Sequence, residues 1–253
     1  MLTSIDSFNT FLIVMAAVAV IVFIALHIVE AGYGIAYTRK WGPSVPNRPG
    51  WVMMEAPVFI VMTILWGASP RMLDTAPLVM FLIFQLHYFQ RSFVFPLLIR
   101  GNSRMPLSII VMGMVFNTLN ALMQGGWIFY ISPAGRYPAS WLLSWQFILG
   151  TCIFFAGMAI NLHSDHIIRH LRKPGDTRHY LPRGGMFRYV TSANYFGEFT
   201  EWVGFAVLTW SWAGAVFALW TFANLAPRAG KIRSRYAAEF GPLSQKRIIP
   251  YIY

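Results

Sequence analysis

The chain has 253 residues, 57% of them hydrophobic and 11% charged, with a formal net charge of +11. Soluble domains carry about 25% charged residues, so this composition cannot cover a water-facing surface and excludes a soluble globular protein. The single cysteine, Cys152, excludes an intrachain disulfide and a cysteine-cluster metal site.

About 20 apolar residues cross a bilayer core as helix, and turn and charge signals divide the chain into seven such spans. The first, 8–37, is longer than the apolar core of a signal peptide and lacks its basic start, so it reads as a retained helix; His27, Glu30 and Tyr33 give it a polar stripe. The second, 51–67, is short and carries Glu55 just before Pro57. The third, 76–99, holds Tyr88 in the run QLHYFQRSFVF. Spans 106–131 and 141–162 follow, then a charged loop, then 195–210 and 213–236.

Charge placement tests this count, because Lys and Arg concentrate on the cytoplasmic side. With the N-terminus outside, only Arg71 and Arg136 of the 20 basic residues fall in outer segments. An even number of spans would break that alternation. The expected fold is therefore an all-α bundle of seven transmembrane helices, one domain over 1–253, with the N-terminus outside and the C-terminus cytoplasmic. Basic residues spread over membrane-proximal loops, not over one soluble face, argue against nucleic acid as a partner and for the lipid bilayer.

The densest charge lies in 161–202, NLHSDHIIRHLRKPGDTRHYLPRGGMFRYVTSANYFGEFTEW. Headgroup anchoring accounts for any one of its arginines. The prolines and glycines at 174, 175, 182, 184 and 185 shape it as a loop, however, and a shaped basic loop can hold phosphates. His163, His166 and His170 share a helical spacing, but six histidines in all are too few for the boxes of a membrane di-iron enzyme, so no metal is expected. No GxGxxG follows a strand, so any nucleotide site is built from helices and loops.

Acids at bilayer depth need partners or a wet cavity. Glu30, Glu55, Glu198 and Glu201 qualify, and Asn194 shares a helical face with the last two. Ion pairing explains any one of them; four together indicate an internal polar chamber. A neutral Glu and a Tyr converging on one carbonyl would form an electrophilic pair able to stabilise an enolate.

The runs NLHSDHIIRHLRKPGD and LPRGGMFRYVTSANYFGEFTEWVGFAVLTWS resemble the steroid 5-alpha-reductase family, as do LHYFQRSFVFPLLIRG, WVMMEAP and FGPLSQKRIIPYIY. The resemblance spans nearly the whole chain and is weakest over 102–140. It implies a reductase that uses NADPH to saturate the 4,5 double bond of a 3-oxo-Δ4-steroid. Glu55 and Tyr88 match the catalytic pair that binds the 3-oxo group, and Trp51 and Tyr33 are assigned to the substrate. Asn161, Asp165, Arg172, His179, Asn194, Glu198, Arg228 and Tyr236 are assigned to the cofactor, mostly within 141–253. The chain departs from the family pattern at Met54 (Gln), His179 (Tyr) and Ile232 (His).

The expected chemistry is hydride transfer from the nicotinamide to the β carbon of an enone, with the α carbon protonated from water. The expected setting is a bacterial inner membrane or an endoplasmic-reticulum-type membrane, with a monomer whose cofactor site faces the cytoplasm. Related enoyl, polyprenol or sterol reductases are the nearest alternatives. A membrane S-adenosylmethionine-dependent methyltransferase of the isoprenylcysteine carboxyl type and a seven-helix carrier or receptor are the more distant ones.

Overall fold

A computed structural model describes residues 4–30, 32, 37–173, 176 and 178–253. Seven long helices organise them: α1 (Ile5–Ile28), α2 (Asn47–Gly67), α3 (Thr75–Leu98), α4 (Leu107–Ile131), α5 (Trp145–His170), α6 (Ala193–Thr209) and α7 (Trp212–Phe240). The first five are each long and apolar enough to cross a membrane. α6 has only 17 residues, and α7 is basic over its second half. Large apolar side chains such as Ile13, Ile21, Ile64 and Leu97 stand exposed on the outer faces, where lipid takes the place of water. The protein is a multi-pass membrane protein.

Two boundaries differ most from the sequence expectation. α1 stops at Ile28, where Val29 turns extended and caps Ala25 O, so Glu30 lies beyond the helix and pairs with Arg235 at 2.8 Å. The expected polar stripe is not helical there, and Tyr33 lies outside the described residues. α5 instead runs on to His170. The expectation ended at the change of polarity, but helical hydrogen bonding continues wherever a neighbour or solvent satisfies the side chains. His163, His166 and His170 consequently sit on α5, and no metal-ligating group of three forms among the described residues.

α3 contains a π-helical turn, Gln90–Val94, and the cause is Pro96. Proline has no N–H to continue the ladder, and the helix widens one residue earlier, with the Phe95 N–H reaching back to Gln90 O. The Arg91 carbonyl is left over. Trp51 of α2 takes it, its indole N–H donating at 3.2 Å.

Contacts between loops sort the helix ends into two groups. At one end, β1 (Ser44–Pro46) pairs antiparallel with β2 (Arg104–Pro106), clasping the start of α2 to the start of α4. Arg48 donates to Ile99 O, Arg100 to Arg169 O and Lys231 to Val29 O. At the other end, Arg71 holds the Ser132 carbonyl and Arg136 the Trp210 carbonyl. Successive helices thus run alternately between the two groups.

The closest helix pair is α5 with α6. A Cβ on Gly157 would strike the backbone of Glu201 and Gly197, and one on Gly197 the backbone of Asn161 and Gly157; Gly150 and Gly204 meet in the same way one layer on. Small residues let helix backbones touch where no hydrophobic drive exists between apolar surfaces in lipid. The contact sets Asn161 against α6, its amide donating to Asn194 O at 2.9 Å. Trp202 anchors the adjoining core, packed against His87 and Phe217 with ring centroids 4.6 Å apart in each case.

Candidate active site

Glu55 lies two turns into α2, Tyr88 on α3, and each is held by an asparagine of α4. Asn117 donates from Nδ2 to Met54 O at 2.8 Å and to Glu55 Oε2 at 3.1 Å. Asn120, fully buried, donates to the Tyr88 hydroxyl at 2.8 Å. The carboxyl and the phenol are near enough to act on each other electrostatically. Around them the walls are aromatic: Tyr88 packs on Phe84 and Trp202 at centroid distances of 4.8 and 5.5 Å.

One turn beyond Tyr88, Arg91 ties this pair to α5 and α6. Its guanidinium lies 4.7 Å from the ring centroids of both Trp51 and Phe95. It reaches Glu198 Oε2 at 3.5 Å and Asp165 Oδ2 at 3.8 Å, with a side chain only 13% exposed. Asn194 donates to Asp165 Oδ1 at 3.2 Å. On the other side, His87 Nδ1 and Glu201 Oε1 are 2.7 Å apart, both buried, tying α3 to α6. A chain of contacts therefore links Trp51, Glu55, Tyr88, Asn161, Asp165, Asn194 and Glu198.

The remaining expected residues lie away from that centre. Arg172 is exposed just past the end of α5, close enough to Tyr236 of α7 and to Tyr180 to influence both. Arg228 is half-buried on α7. His179 is on the surface, 3.1 Å from Glu239. In the same loop Asp176 accepts from the Arg178 side chain and backbone and from the Tyr180 hydroxyl, and these donors hold its carboxyl well below the usual range.

Arg91, His87, Asn117 and Asn120 were not singled out from the sequence. Arg91 counts there as a cytoplasmic anchor, although its spacing of three from Tyr88 places both on one helical face. Asn117 and Asn120 repeat that spacing inside a mostly apolar helix, a signal that one face of it meets polar groups.

The α5–α6 seam carries buried polar groups that a polar ligand could satisfy. Asp165 Oδ2, Ser164 Oγ and Ser192 Oγ are buried without a hydrogen-bond partner among the described residues. Each such group costs about 1–3 kcal/mol if left unmade. Carboxylate and hydroxyl acceptors of this kind suit the ribose hydroxyls and carboxamide of a dinucleotide, while Arg172 and Arg228 suit its phosphates.

The family model described as 3-oxo-5-alpha-steroid 4-dehydrogenase matches residues 103–253, more than half of the chain. Over 239 residues the chain is 40% identical to 3-oxo-5-alpha-steroid 4-dehydrogenase 1 of Mus musculus, covering 92% of each chain. It is 39% identical over 245 residues to 3-oxo-5-alpha-steroid 4-dehydrogenase 2 of Sus scrofa, covering 94% of each. Against the steroid 5-alpha-reductase DET2 of Gossypium hirsutum the identity is 34% over 253 residues, 97% of each. These alignments extend through α2 and α3, beyond the segment that the family model matches. The chain belongs to the 3-oxo-5-alpha-steroid 4-dehydrogenase family of oxidoreductases.

Proposed function

We propose that this protein reduces the 4,5 double bond of a 3-oxo-Δ4-steroid with NADPH, giving the 5α-3-oxosteroid. The observation that carries the reading is that Glu55 and Tyr88, near enough to act on each other, are each held by a side-chain amide of α4. With Glu55 as the carboxylic acid, both groups donate to the 3-oxo oxygen. Charge builds on that oxygen as the β carbon is attacked, so the two hydrogen bonds strengthen toward the transition state. A reduced nicotinamide, when bound, supplies the hydride. The α carbon then takes a proton from water.

Asn161, Asp165, Asn194 and Glu198 would hold the hydroxyl and amide groups of the dinucleotide, with Arg172, Arg228 and Tyr236 toward its phosphates and His179 at the rim. Arg91 keeps the two acids Asp165 and Glu198 compensated. Trp51 and Tyr33 would face the steroid, which enters from the lipid. The reading takes the protein as a monomer with one domain over 1–253. Seven membrane crossings, with the N-terminus outside and the C-terminus and cofactor site cytoplasmic, fit the alternating helix ends and the charge distribution.

Purified protein with NADPH tests this reading against two ligands: a 3-oxo-Δ4-steroid, and the same Δ4-steroid without its oxo group. NADPH consumption with the first and none with the second is the expected result. Equal consumption with both, or none with either, overturns it.

A further inference from the structure

We infer that Asn117 and Asn120 of α4 are positioning residues that set the direction of the protons Glu55 and Tyr88 give to substrate, an inference that rests on the donor pair proposed above. A hydrogen bond has a direction, and a donor to substrate works only if its own hydrogen is not already engaged elsewhere.

The orientation of Asn117 follows from its backbone partner. The Met54 carbonyl can only accept, so the Asn117 side chain must present its NH2 group there, at 2.8 Å, and the same group donates to Glu55 Oε2 at 3.1 Å. Oε2 is thereby an acceptor, a role the carbonyl oxygen of a carboxylic acid fills better than its hydroxyl oxygen, so the amide biases the proton toward Oε1. Asn120 does the equivalent for the phenol: its NH2 group donates to the Tyr88 oxygen at 2.8 Å, and that oxygen keeps its own hydrogen for a second acceptor. With the amide reversed, the phenol would give its hydrogen to Oδ1. In the structure it is Nδ2 that faces the phenol, at the cost of leaving Oδ1 buried with no hydrogen-bond partner among the described residues. Both asparagines are buried, so bulk water cannot substitute for either amide. Standing three apart, they project from one face of α4, and that face is a template for two converging donors.

The test uses the isosteric variants Asn117→Asp and Asn120→Asp, with kcat, KM and NADPH affinity measured across pH. A carboxylic acid can still donate to Glu55 or Tyr88, whereas a carboxylate can only accept. The expected result is a kcat that falls as pH rises, a step absent from the parent, reaching a loss of about a hundredfold, the scale of a misplaced catalytic group. NADPH affinity stays at the parent value. A kcat equal to the parent's at every pH in both variants overturns the inference.

If the carboxyl variants do not accumulate, Asn120→Ser is compared in the parent and in Tyr88→Phe. Acting through Tyr88, it lowers turnover in the first and adds nothing in the second; equal fractional losses in both overturn the inference. Loss of turnover in Glu55→Gln and Tyr88→Phe together with unaffected asparagine variants refutes this inference alone. Full turnover in Glu55→Gln and Tyr88→Phe refutes the donor pair itself.

Discussion

At the scale of single residues, Arg91 does the most to join the two halves of the site. Its flat guanidinium lies near two aromatic rings while facing two acids. An ammonium is a compact point charge without that planar fork. Arg91→Lys is therefore expected to keep the charge balance and the fold but lower kcat/KM, because Asp165 and Glu198 are no longer held in place. Arg91→Ala leaves both acids without their cation, and breaking a buried ion pair costs about 3–5 kcal/mol. Its unfolding midpoint should fall well below that of Arg91→Lys. Matching midpoints and matching kinetics in the two variants would show that neither the charge nor the fork matters. In the sequence Glu55, Asn194, Glu198 and Glu201 stand out because acids and amides in apolar spans are costly, whereas the roles of Tyr88, Asn161 and Asp165 come from the family resemblance. Arg91 is hidden there because one arginine near a helix end looks like any other lipid anchor.

Among the elements, the α5–α6 pair shows what periodicity cannot convey. Apolar run lengths give the approximate helices, but which helices touch backbone to backbone depends on Gly150 and Gly157 meeting Gly197 and Gly204. Each pair repeats at seven residues, a regularity visible in the sequence only once a partner helix is known. Gly157→Ala should force the helices apart and disturb the hydrogen bond from Asn161 to Asn194. Overpacking of a close contact costs about 1–3 kcal/mol, and a methyl pressed against backbone has no side chain to displace. Gly67→Ala meets nothing within 4 Å and serves as the matched control. Size-exclusion recovery after heating should drop for Gly157→Ala and stay at the parent level for Gly67→Ala; equal recovery would contradict the close-contact reading. The end of α1 at Ile28 and the extension of α5 to His170 depart from the expected spans for one physical reason. Polarity marks where lipid ends, and helical hydrogen bonding ends on different grounds.

For the whole molecule, the loop contacts sort the helix ends into two groups, and the proposed orientation rests on the charge bias between them. The end that carries the β clasp also gathers Arg48, Arg100 and Lys231, while Arg71 and Arg136 lie at the opposite end. A reporter fused after Tyr253 and active only on the outer side should stay silent, and one fused before Met1 should be active. The reverse pattern would contradict the positive-inside assignment. Under the proposed orientation the basic loop faces the soluble cofactor and the apolar helix faces are left to the steroid.

The most direct measurement of the proposed chemistry follows deuterium from the reduced nicotinamide into a 3-oxo-Δ4-steroid. In the parent protein the label should appear on the β carbon, with hydrogen from solvent on the α carbon. Glu55→Gln and Tyr88→Phe should still bind NADPH but deliver the label roughly 10²–10³-fold more slowly, the effect of losing one oxyanion donor. Label absent from the β carbon in the parent, or delivered at the parent rate by both variants, would contradict the account.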